Sequence, residues 1–195
     1  DLPRVAVRAG AGDPRAGGRL SGHLVAEAHR VRQRGSHDVA GRHVQRSYLD
    51  PGARVPLPLN SMADNAESLE AKPEQIAPHR EMVRQAYKLF DSYHYKHYDF
   101  LFALSDEFGG IGREHHQSSE NGVKPGYFTD WAKSEPGRDL LPHEYVHSWN
   151  GKFRRPSGQD VPNFNTPLQN SLLWVYEGQT QYWGNVLAAR SGMVS

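Results

Sequence analysis

The chain has 195 residues, 37% hydrophobic and 23% charged, with a net charge of +1, which suits one globular domain with a modest core. Zero cysteines exclude disulfides and thiolate metal sites, so any metal must be held by nitrogen and oxygen donors, the first supplied by eleven histidines. The near-neutral balance points to no nucleic-acid partner, no run approaches the ~18 apolar residues of a membrane span, and a cysteine-free chain suits cytosol or periplasm alike.

The mean hydropathy of -0.74 is polar for a compact protein, and the polarity is concentrated at the start. Residues 1–46 hold nine Arg against four acidic residues and lack Phe, Trp, Tyr, Ile and Met. Such a segment buries too little surface to offset its ordering entropy. It is expected to be irregular, with a short helix around 24–34, and Arg scattered among Gly and Ala suits a solvated tail better than a nucleic-acid arm. Residues 47–195 form the expected folded part.

There, Val55–Leu59 suggests an edge strand, because its prolines cannot donate to a ladder. A polar stretch follows, and Pro73–Pro78 opens a helix that apolar residues at helical spacing carry to about Tyr93. Tyr98–Leu104 reads as a buried strand, and the glycines at 109, 110 and 112 as a turn or bulge. Residues 122–137 look like a loop, Leu140–Trp149 like a helix ending near Gly151, and Asn170–Arg190 like a second helix. Trp149, Trp174, Tyr176 and Trp183 are expected as core around these two helices, and Tyr182 as structural.

The chemistry lies in His143-Glu144-Tyr145-Val146-His147. Imidazoles four apart share one helix face, so both can point at one ion. The carboxylate of Glu144 is left to reach a water on the open side of the site and take its proton. A catalytic zinc needs a third protein ligand, and Glu177 supplies it in this reading, after 29 intervening residues. Two solvated histidines on a surface helix would be the plainer reading, but the flanking Leu140, Leu141, Val146 and Trp149 argue for a packed helix.

The runs LLPHEYVHSWNGKFRRP (140–156) and SLLWVYEGQTQYWG (171–184), with GGIGREHHQSSENG (109–122), closely resemble the glycyl aminopeptidase family of zinc metallopeptidases. The resemblance implies an α+β, thermolysin-like zincin (gluzincin) catalytic half-domain, its mixed or antiparallel sheet packed on the two metal-bearing helices. It implies Zn2+ held by His143, His147 and Glu177, with Glu144 as general base. It also implies that Glu114 and His115 line the substrate cleft, Glu114 holding the free α-amine of a peptide. The expected activity is hydrolysis of N-terminal peptide bonds, with a Gly or Ala preference. Longer members of the family carry an amino-terminal β domain and a PDZ domain not seen in this sequence. A truncated zinc-binding fragment without turnover, or an endopeptidase of the same class, are the alternative expectations.

Overall fold

The structure, a computed structural model, describes residues 43–52, 55–108, 110–163 and 165–195; the short helix expected around 24–34 lies outside them. Five strands form one sheet: β1 (His43–Tyr48), β2 (Pro58–Ala63), β3 (Asp99–Leu104), β4 (Gly112–Glu114) and β5 (Ser118–Val123), in the order β1-β2-β3-β5-β4. β2, β3 and β5 run parallel, and β1 and β4 close the two edges antiparallel. The sheet is mixed, one of the two kinds expected.

Three strands depart from the sequence reading. β1 takes in residues 43–46, which composition assigns to the irregular segment; pairing of Val44 with Met62 and Ser47 with Leu59 recruits them. That same pairing makes β2 an inner strand rather than an edge. Only Pro58 and Leu59 of the proline-rich run enter it, Pro58 at the first position, where a missing N–H is tolerated. The rest of β2 comes from the polar stretch, because Asn60 is buried but satisfied: it accepts from Arg46 Nε at 2.8 Å and donates to Asp99 Oδ1 at 3.3 Å. β5, polar in composition, is buried in the same way, with Asn121 donating to the carbonyl of Leu101 at 3.1 Å.

Helix α1 (Pro73–Phe90) starts where expected. Proline fits its first turn, and the backbone N–H of Lys72 donates to Gln75 Oε1 at 2.7 Å. It ends three residues early because Asp91 turns left-handed, φ 48°, and its N–H closes on the carbonyl of Tyr87. Ile76, Met82, Val83 and Ala86 join Phe100 and Phe102 of β3 in the main core.

Helix α2 (Leu140–Val146) continues as turns through Trp149. Leu141, Tyr145 and Trp149, spaced four apart, all lie in the core. The Tyr145 ring sits 4.9 Å from Tyr98 and 5.1 Å from Phe100, and its hydroxyl shares a hydrogen bond with that of Tyr95. Each such ring contributes about 2–3 kcal/mol on burial, so the roll of α2 is fixed and His143 and His147 are left on the opposite side.

The single helix expected over 170–190 is in fact three pieces: a 3-10 turn (Asn170–Leu172), a π-helical segment (Trp174–Gln179) and α3 (Thr180–Ser191). α3 packs against α1 and α2. Its Gly184 is what permits the approach, since a Cβ there would lie 3.0 Å from the Cα of His143. Trp149 and Tyr176 are buried and Trp183 is packed on the core, as expected. Trp174, also expected as core, is instead 71% exposed, and Tyr182 on α3 is 60% exposed. No helix among the described residues is long and apolar enough to cross a membrane.

Candidate metal centre

α2 brings His143 and His147 together with their Nε2 atoms 3.1 Å apart. The π-helical segment carries Glu177 Oε2 to 3.4 Å from the first and 3.3 Å from the second. Four ligands at zinc bond lengths of 2.0–2.1 Å form a tetrahedron with edges of about 3.3 Å. The three atoms therefore already outline one face of such a tetrahedron. The donor chemistry fits as well. The Nδ1–H of His147 donates to the carbonyl of Asn150 at 3.1 Å, which leaves the Nε2 lone pair directed at the other two donors. Burial lowers the pKa of His147, against the pull of Glu114, so that ring is kept neutral, as a ligand must be.

Glu144 is 5% exposed, and its Oε2 has no hydrogen-bond partner among the described residues. Its Oε1 lies against β4 so closely that a Cβ at Gly112 would fall 2.1 Å from it. Burial pushes the Glu144 carboxyl up to about 8; the charges of Glu114 and Glu177 add to the rise and Lys152 opposes it.

Glu114, at the end of β4, lies close enough for a carboxylate oxygen to come within 4.8 Å of ligand atoms on Glu144 and His147. It is already engaged. The Tyr176 hydroxyl donates to Oε1 at 2.5 Å and the Lys152 ammonium lies 3.0 Å from the same atom. Burial alone would raise the Glu114 pKa, but Lys152 and the Tyr176 hydroxyl outweigh it and hold the carboxyl at about 2. His115 turns instead to Glu120 Oε1, 3.0 Å away. Lys152, Tyr176 and Asn150 were not singled out as site residues by spacing: Lys152 follows His147 by five positions, beyond the end of the helix, where periodicity says nothing.

Residues 137–195 match the family model of M61 glycyl aminopeptidase. That segment is similar to the M61 glycyl aminopeptidase family. It contains the His143–His147 pair, Glu144 and Glu177, whereas Glu114 precedes it. No curated protein matches the chain. Among solved structures, an aminopeptidase N family protein from Idiomarina loihiensis is similar at 19% identity and a TM-score of 0.48, over 79% of this chain and 26% of that one. The chain thus spans about a quarter of that structure's length.

Proposed function

We propose that the chain carries the zinc-holding part of a peptidase active site of thermolysin-like, gluzincin type, with residues 47–195 as part of a catalytic domain. The observation that carries this reading is the His143–His147–Glu177 triangle, whose edges of 3.1, 3.4 and 3.3 Å match those of a tetrahedral zinc site. A zinc ion there would polarise a substrate carbonyl, acidify a water and draw the Glu144 pKa downward.

The protein's own part follows from Glu144 and β4. β4 is an edge strand, paired on one side only with β5, so an extended peptide can lie along its free side and bring a carbonyl to the triangle. Glu144 Oε2, without a hydrogen-bond partner among the described residues, takes a proton from the attacking water and returns it to the leaving amine nitrogen. Glu114 is the anchor for the substrate's α-ammonium, with half-exposed His115 lining the approach.

The Lys152 ammonium on Glu114 favours a second reading, an endopeptidase, because it already neutralises the charge that a free amine would seek. Hydrolysis of matched free and N-acetylated peptides by the zinc-loaded chain separates the two. Glu144→Gln should retain zinc and lose turnover by about 10²–10⁴-fold; a variant that keeps its rate refutes the role given to Glu144.

A further inference from the structure

The two arms of the triangle come from separate helices, and two residues outside the ligand set touch both: Thr180, whose hydroxyl lies 3.4 Å from His147 Nδ1 and 2.6 Å from the Tyr176 carbonyl, and, more extensively, Asn150. Asn150 stands three positions after His147, half-buried, where the chain leaves the metal-bearing helix. Its backbone carbonyl accepts the Nδ1–H of His147 at 3.1 Å. Its side-chain amide donates to the carbonyl of Val175 at 2.8 Å and reaches that of Tyr176 at 3.4 Å and the Thr180 hydroxyl at 3.0 Å. Carbonyls can only accept, so the Nδ2 end of the amide must face them.

Val175 and Tyr176 immediately precede Glu177 in the π-helical segment. A π turn is a departure from regular winding and needs local support. Here Thr180 supplies part of it, donating to the carbonyl of Tyr176 at 2.6 Å, and Asn150 supplies the tie to the other helix. Loss of that tie would weaken the hold of the metal-bearing helix on the Glu177 turn, leaving the Thr180 hydroxyl near His147 Nδ1 and the Tyr176–Glu114 hydrogen bond. A shift of a few tenths of an ångström would spoil edges of 3.3–3.4 Å.

We propose that Asn150 is a positioning residue that couples both arms of the metal centre, its carbonyl orienting His147 and its amide holding the turn that presents Glu177. This rests on the zinc-site reading above. Side chains of this kind, one step removed from a metal, typically govern affinity by 10–100-fold.

The test measures zinc affinity by chelator competition and the visible spectrum of the cobalt-substituted chain, for the parent, Asn150→Ala and Asn150→Asp. Ala leaves the backbone carbonyl in place and so removes only the Glu177 arm; Asp keeps the shape but presents an acceptor where a donor is required. Both should bind zinc about 10–100-fold more weakly, with a cobalt spectrum altered in the same sense as Glu177→Ala. In a Glu177→Ala background, Asn150→Ala should cost no further affinity, because the arm it holds is already gone. Affinity within about twofold of the parent, or an equal loss in both backgrounds, overturns the positioning role while leaving the zinc site intact. A parent chain that binds no zinc overturns both.

Discussion

Gly112→Ala puts the placement of Glu144 to a quantitative test. The new Cβ would lie 2.1 Å from Glu144 Oε1 and 2.8 Å from Leu140 Cδ1, and real Cβ atoms essentially never approach closer than 3.0 Å. Either β4 or the carboxylate must retreat by about 1 Å, and misplacement of a reacting group on that scale lowers rates by about 10²-fold. The atoms nearest the added methyl group belong to Glu144 and Leu140, not to the three proposed ligands. Steady-state kinetics on an aminoacyl substrate, beside zinc content, should therefore give kcat reduced about 10²-fold at unchanged zinc. Gly137→Ala is the control, since a Cβ there meets nothing within 4 Å. A kcat for Gly112→Ala within about threefold of that control would refute the placement of Glu144 as the group that moves the proton.

Two further outcomes follow from charge. His79 is fully buried, its Nδ1–H donating to the Gln75 carbonyl at 2.7 Å and its Nε2 accepting from the Tyr127 hydroxyl at 3.0 Å. Burial holds its pKa at about 4 against an ordinary 6.5. The unfolded chain takes up that proton first, so stability is lost as pH falls from 6.5 to about 4, by up to about 3 kcal/mol. Denaturant titrations should show a flatter pH profile over that window for His79→Gln, and an unchanged slope would contradict the assignment. Lys152→Met removes the cation that competes for Glu114. If Glu114 anchors a free amine, KM for free peptides should fall about two- to fivefold relative to N-acetylated ones, the worth of an ion pair of about 0.5–1 kcal/mol. A rise in KM, or no change, favours the endopeptidase reading.

The parts of the fold that apolar periodicity encodes are legible in the sequence. α1, β3 and α2 appear where the spacing of residues such as Met82, Phe102 and Tyr145 puts them. β2 and β5 escape because Asn60 and Asn121 are buried through hydrogen bonds, not through apolar character. The π-helical segment escapes for another reason: its residues have ordinary helical character, and the unusual winding is supported by Asn150 and Thr180 from contacts that spacing does not encode. The same distinction runs through the site. His143 and His147 are four apart on one helix, so their meeting is written in local sequence, whereas the pairing of Glu114 with Tyr176 and Lys152 depends on tertiary packing.

The most direct measurement is the metal content of the purified chain after zinc loading and exhaustive dialysis, beside His143→Ala treated identically. A site with this donor triangle should retain one zinc per chain, and the variant should lose it while remaining folded by circular dichroism. A folded parent chain that retains no zinc would contradict the metal centre and the chemistry built on it.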